Sequence, residues 1–232
     1  MTKEILKESA QEVFLDKKWK KLLKKIWLFK FIPGVDFVLV AGSLATGNVN
    51  KDSDFDVIVG AKQGRIFTAR FLSVLFFGLF GWRRRKLSHK ESARDKICLN
   101  HFITKKSYRL NPPYNKYWIN LYRNLVPVFG KKEALADFFR ANADWAGNLC
   151  DYKADLRHKF EEAPFLKKAC DVFLNGKTGD FFESFFKKAQ VRRIEKSLKN
   201  DEPGYKPRIV YNDFELEFHP DTKRTEEFTS QF

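Results

Sequence analysis

Residues 38–59 read VLVAGSLATGNVNKDSDFDVIV, and the rest of the chain takes its place around them. The run Val35–Ala41 (VDFVLVA) is short and largely apolar, as suits a buried strand. Gly42-Ser43 break it, Gly47 closes a short turn or helix, and Asn48–Ser53 reads as loop. Phe55–Val59 (FDVIV) is the next strand, in which Asp56 interrupts the apolar residues. Residues two apart on an extended chain share a face, so Asp54 and Asp56 point the same way. Gly42 lets the backbone approach a phosphate with no Cβ between them. Ser43 and the amides after it can donate hydrogen bonds to phosphate oxygens. Two carboxylates on one face beside such a turn make a ligand set for Mg²⁺ or Mn²⁺.

On the N-terminal side, residues 16–31 (DKKWKKLLKKIWLFKF) place Trp19, Leu22, Leu23, Ile26 and Trp27 on one helical face, and Pro33-Gly34 ends that helix. On the other side, Ile66–Trp82 (IFTARFLSVLFFGLFGW) is apolar over 17 residues. It is short for a membrane span and carries Arg70, so it reads as a helix buried against a sheet. The competing reading is attachment to a membrane surface, aided by the basic run Arg83–Lys86 that follows. Ile97–Thr104 (ICLNHFIT) is a third strand with Asn100 and His101 in its middle.

After Asn111-Pro112-Pro113 the texture turns helical, over Tyr114–Val126, Lys131–Asn142, about Ala154–Leu174, and Asp180–Asn200. Asp201–Pro207 is a linker, and Arg208–Tyr211 with Glu215–Phe218 reads as a terminal hairpin before a polar tail. The expected architecture is α+β. A small mixed sheet with flanking helices occupies residues 1–110, a helical region 111–200, and linker, hairpin and tail 201–232.

The formal charge of +15 and an isoelectric point near 9.7 draw polyanions such as RNA or nucleoside triphosphates. Lysine-rich solvated faces explain the same charge without a partner. Three cysteines without a CxxC pair indicate neither disulfides nor a cysteine-based zinc site, and the charged N-terminus is no secretory signal. A reducing cytoplasm fits.

The run GSLATGNVNKDSDFDV resembles the DNA polymerase beta-like nucleotidyltransferase superfamily, whose pattern is a hydrophobic-Gly-Ser turn, a loop, and then Asp-hydrophobic-Asp. The chain looks most similar to minimal and uncharacterised prokaryotic nucleotidyltransferase-domain proteins. Softer likenesses lie in Lys96–Asn100, Asn142–Trp145 and Phe218–Pro220. The resemblance implies that Gly42 and Ser43, with Gly47 and Ser53 in the same loop, hold a nucleoside triphosphate. It implies that Asp54 and Asp56 bind the metal. The expected reaction transfers a nucleoside monophosphate from an NTP to a hydroxyl of an RNA, protein or small-molecule acceptor. The resemblance also implies a third carboxylate on the neighbouring strand, and no Asp or Glu stands within that strand. Asn100 can offer a neutral oxygen, His101 a base, and Asp95 an acid just before the strand. Strict alternation favours Asn100, which shares a face with Cys98 and Thr104. A chain lacking the third acid can also serve as a nucleotide- or RNA-binding regulatory protein, or as an antitoxin-like partner. His219 has no visible partner in the sequence.

Overall fold

The computed structural model describes residues 2–84, 93–110, 114–147, 157, 159, 164–199 and 208–219, without the side chains of residues 2–10 and 117. Helix α1 (Thr2–Ile26) passes into a 3-10 turn at Trp27–Phe31, then strand β1 (Val35–Val40) and the single-turn helix α2 (Gly42–Ala45). Strand β2 (Phe55–Ala61), helix α3 (Ile66–Leu79) and strand β3 (Ile97–Ile103) complete the first half. Helix α4 (Lys116–Arg123), strand β4 (Val126–Gly130), and helices α5 (Lys132–Ala146), α6 (Phe165–Phe173) and α7 (Lys177–Lys199) follow. The chain then forms the hairpin β5 (Arg208–Tyr211) and β6 (Glu215–His219).

All six strands form one mixed sheet in the order β4-β1-β2-β3-β6-β5. β2 and β3 are parallel, with α3 as the crossover, and the other neighbours are antiparallel. The α+β architecture with a C-terminal strand pair is as the sequence implied. The hairpin is part of the main sheet, because β6 pairs β3 through His101↔Glu217 and Ile103↔Glu215. Of β4 only Val126 falls within an expected helix, Tyr114–Val126, and residues 127–130 stand between that helix and the next with no element expected. The five residues of β4, VPVFG, carry no period long enough to read, and they become an edge strand by pairing with β1. Asn111–Pro113, the beginning of the helix expected near Ala154, the linker Asp201–Pro207 and the tail after His219 lie outside the described residues.

Alternation divides the sheet. Phe55, Val57 and Val59 of β2, with Leu99 and Phe102 of β3, pack with Trp19, Leu22 and Ile26 of α1 and Phe67 and Phe77 of α3. Phe37, Leu39, Ile58 and Ile103 face the other way, onto Trp118 and Tyr122 of α4 and Leu135 and Phe138 of α5. Asp56, between Phe55 and Val57, therefore belongs to the α4–α5 face. Helix α3 buries Ile66, Phe67, Thr68, Ala69, Ser73 and Phe77. Arg70 Nη1 donates to the neutral Gln190 Oε1 of α7 at 2.7 Å and its guanidinium lies over the Phe218 ring, so the apolar run is a core helix whose one charged group is held inside the protein. No helix of the described residues is long and apolar enough to cross a membrane.

The start of α3 is closed by α7. Glu183 accepts from the amides of Phe67 and Thr68, both at 2.9 Å, and from Thr68 Oγ1 at 2.6 Å. A carboxylate here satisfies donors that a helix leaves open and sits at the positive end of its dipole. Glu183→Ala is expected to cost about 1.5–3 kcal/mol in urea unfolding, the range for hydrogen bonds to a charged group. The exposed Glu195→Ala on the same helix should change stability by no more than about 0.5 kcal/mol.

Candidate active site

The site begins where β1 ends. Ala41 donates its amide to the Asp56 carbonyl at 3.0 Å, extending the β1–β2 pairing by one residue. The chain then turns at Gly42, which has φ +65°, and starts α2. The first amides of a helix have no acceptor within it, so those of Ser43 and Leu44 open outward from this turn. A Cβ on Gly42 would lie 2.4 Å from Asp56 Oδ2. Glycine is therefore required twice, by the left-handed backbone and by the carboxylate packed on its Cα.

Asp54, Asp56 and Cys98 converge, with one ligand atom from each within 4.8 Å of the others. Cys98 is there because β2 and β3 pair in register Asp56↔Cys98. The guanidinium of Arg84 closes the group from the segment after α3, with Nη1 2.7 Å from Asp54 Oδ2. The position of Arg84 is fixed by its backbone, whose amide donates to the Ile97 carbonyl at 2.9 Å.

Burial and then the neighbouring Asp54 charge push the Asp56 carboxyl up to about 7, against the opposing effects of a hydrogen bond with Cys98 and the charge of Arg84. The Cys98 thiol is raised well above its ordinary value by its burial and by the two carboxylates, so it stays protonated at neutral pH. Two carboxylates and a thiol thus crowd one place. The residual negative charge and the oxygen-rich donor set fit a divalent metal, and an acidic cluster of this kind can bind one.

The loop between turn and acids is held by its own residues and by helix α1. Ser53 Oγ accepts the Asn50 amide at 2.9 Å. The buried Lys18 Nζ donates to the carbonyls of Lys51 at 3.0 Å and Ser53 at 2.9 Å. Gly47 has φ +79°, and its carbonyl accepts Gln11 Nε2 at 3.3 Å. Asp95 is taken up by the same scaffold, with Oδ1 2.8 Å from Lys18 Nζ and Lys21 on its other oxygen. These lysines hold its carboxyl below the usual range despite burial.

On β3 the register slips between Asp56↔Cys98 and Ile58↔His101, giving β3 one extra residue there. Such a bulge interrupts strict alternation. Cys98 is the β3 residue opposite Asp56, and Asn100 is buried two residues further along. His101 comes onto the α4–α5 face through its pairing with Ile58, and meets Glu215 Oε1 at 3.1 Å. Sequence reasoning missed Cys98 and Arg84 as members of this group. Arg84 had a visible signal in the run Arg83–Lys86, whereas Cys98 needed the register.

Residues 17–109 match the family of nucleotidyltransferase domains. This part of the chain is similar to nucleotidyltransferase domains. The match is consistent with the DNA polymerase beta-like superfamily, whose chemistry is general nucleotidyl transfer from a nucleoside triphosphate. No curated protein and no solved structure matches the chain significantly. The matched segment takes in β1, α2, β2, α3 and β3, and stops short of α4 and the hairpin.

The raised Asp56 sets a pH dependence of the metal-free protein's stability. Its folded value lies above the ordinary 3.8, so the stabilisation it brings is complete below about 4 and is lost as pH rises through about 7. Asp56→Asn should therefore be more stable than wild type at pH 8 by about 1–2 kcal/mol. That figure is well below the full conversion of the shift, because the carboxylate is partly open to water. The difference should vanish near pH 4. Urea unfolding at both pH values without metal checks it, and a difference independent of pH would contradict the assignment.

Proposed function

We propose that the chain is a metal-dependent nucleotidyltransferase that moves a nucleoside monophosphate from an NTP to a hydroxyl, with pyrophosphate released. The observation that carries this reading is the convergence of Asp54 and Asp56 against the Gly42 turn. In this reading Gly42 and Ser43 cradle the triphosphate with backbone amides and the Ser43 hydroxyl, and Gly47 and Ser53 hold the loop that shapes the cradle. Asp54 and Asp56 hold Mg²⁺ or Mn²⁺. When bound, the metal supplies charge for the reacting phosphate and the leaving pyrophosphate. Arg84, already on Asp54, is a second positive group within reach of phosphate oxygens. The acceptor class is RNA, protein or a small molecule, and the positive charge of the chain favours an anionic one.

Cys98 also supports a second reading. Opposite Asp56 stands a thiol held protonated, which donates a hydrogen bond and takes up no proton. A site with two acids and a thiol retains metal and triphosphate binding more readily than it activates a hydroxyl. That is the regulatory nucleotide-binding role.

Calorimetric titration with Mg²⁺ and a non-hydrolysable NTP, beside NTP-dependent pyrophosphate release over RNA, protein and small-molecule acceptors, separates the two. Asp54→Asn/Asp56→Asn should abolish Mg²⁺-dependent NTP binding, and a folded double variant that binds as wild type would overturn both readings. Cys98→Asp should raise turnover at least about a hundredfold if the missing base limits it, the lower end of general-base contributions. Asn100→Asp tests the alternative position on β3, and a gain there without one at Cys98 would make Asn100 the residue that matters. NTP binding with no turnover in any variant would select the regulatory role.

A further inference from the structure

A second convergence lies outside the nucleotidyltransferase site. His101 of β3 and Glu217 and His219 of β6 each bring one ligand atom to within 4.8 Å of the others, on the α4–α5 side of the sheet. The register pairs His101 directly with Glu217, and the i, i+2 spacing puts His219 on the same face as Glu217. Glu217 is fully buried, Glu215 and His101 are nearly so, and the His219 side chain is 25% exposed at the mouth of the group.

The polar groups here do not complete one another. Glu217 Oε2 accepts Arg208 Nε at 2.7 Å, and Glu215 Oε1 meets His101 Nε2 at 3.1 Å. Glu217 Oε1 and His219 Nε2 lie 3.0 Å apart as an ion pair, and despite burial the contact with His219 and the charges of His101, His219 and Arg208 hold the Glu217 carboxyl down at about 2, yet the contact lacks hydrogen-bond geometry and both atoms are sealed from solvent. A buried carboxylate oxygen and a buried ring nitrogen left this way are costly unless something else satisfies both. Two buried glutamates beside one guanidinium also leave a negative charge that only a proton on the facing imidazoles or a bound cation can match. A cation held between the two atoms resolves both debts.

We propose that His101, Glu217 and His219 form a binding site for a divalent transition metal of the zinc type, which clasps the C-terminal hairpin to the nucleotidyltransferase domain. Two imidazoles with one carboxylate select such a metal over Mg²⁺ or Ca²⁺, which prefer all-oxygen sets. Donors on a tetrahedral zinc ion stand roughly 3.3 Å apart for bonds near 2.0 Å. The Glu217–His219 pair is already at that spacing, and the His101 ring has to close in on it. Glu215 is the next oxygen donor at hand, and partly exposed His219 gives the metal an entrance. Because His101 lies within residues 17–109 and the other two ligands lie beyond them, the metal bridges the matched domain and the segment that follows it.

The test uses the full chain with Asp54→Asn/Asp56→Asn, which silences the other acidic group, stripped of metal and titrated with Co²⁺ and Zn²⁺. One equivalent should bind, with visible cobalt absorption, and Zn²⁺ should raise the melting temperature. His219→Gln in the same background, chosen because the side chain is partly exposed, should lose the absorption and at least about nine-tenths of the affinity. X-ray absorption at the zinc edge of the unsubstituted site should give nitrogen and oxygen neighbours, two of them imidazoles. No binding in the Asp54→Asn/Asp56→Asn chain, unchanged binding in folded His219→Gln, or sulfur among the neighbours would each overturn the proposal. The X-ray measurement decides even if the histidine variant fails to fold.

Discussion

Gly42 and Asp56 occupy almost the same space, and much of the molecule follows from that contact. The pairing of β1 with β2 ends at the hydrogen bond from Ala41 to Asp56, so the next residue of the first strand must turn beside that carboxylate. Only a residue without Cβ can do so, and only one that tolerates φ near +65°. Once the turn is made, Asp56 is walled in on one side and cannot swing away from Asp54. The two carboxylates are then held close in a sheltered place, and burial first, then the Asp54 charge, raise the Asp56 carboxyl. A site whose ligands repel one another is prepared for a cation and gains from binding it.

The two faces of the sheet treat charge differently. Toward α1, α3 and α7 the strands present an apolar surface of Phe, Val, Leu and Ile, and the large aromatic content is spent there and under α5. Toward α4 and α5 the apolar patch is flanked by polar groups on β2, β3 and β6. The acids of β2 sit beside Cys98, and beyond the β3 bulge come His101, Glu215 and Glu217. Buried polar residues are expensive where a low-dielectric surrounding leaves them unmatched, so their concentration on one face marks it as the face where chemistry or ligands are accommodated.

Most of this could be read from local pattern. The strand, Gly-Ser turn, loop and Asp-x-Asp strand all reside in 22 contiguous residues, and each element depends on its immediate neighbours. The buried helix α3 and the amphipathic α7 were equally visible because their periods are long. What escaped depends on pairing between distant segments. Strand β4 exists because β1 offers it an edge, and nothing in VPVFG demands it. The place of Cys98 opposite Asp56 depends on where β3 slips relative to β2, and a bulge leaves no sure mark in a sequence. Alternation pointed to Asn100 only on the assumption of an unbroken strand. His219 showed no partner in the sequence although Glu217 stands two residues away, because the group they share with His101 is closed only by the pairing of β6 with β3.

On the proposed reading, the thiol opposite Asp56 in place of a third acid would change the order in which ligands can arrive. Three carboxylates would hold a metal strongly by themselves. Here Asp54 and Asp56 carry two negative charges at most, Arg84 offsets one of them, and Cys98 stays neutral. One net charge in a partly open site is a weak hold on a strongly hydrated ion such as Mg²⁺. On the proposed reading a nucleoside triphosphate would alter that balance, because its phosphates would supply both oxygen ligands and negative charge next to the turn at Gly42-Ser43. They also give Arg84 a competing partner and so free Asp54 for the metal. On the proposed reading, metal and nucleotide therefore enter together as one complex, and the empty site rests in the Arg84–Asp54 pair. The same pair that weakens metal binding in the resting protein then becomes the group that answers to the phosphate.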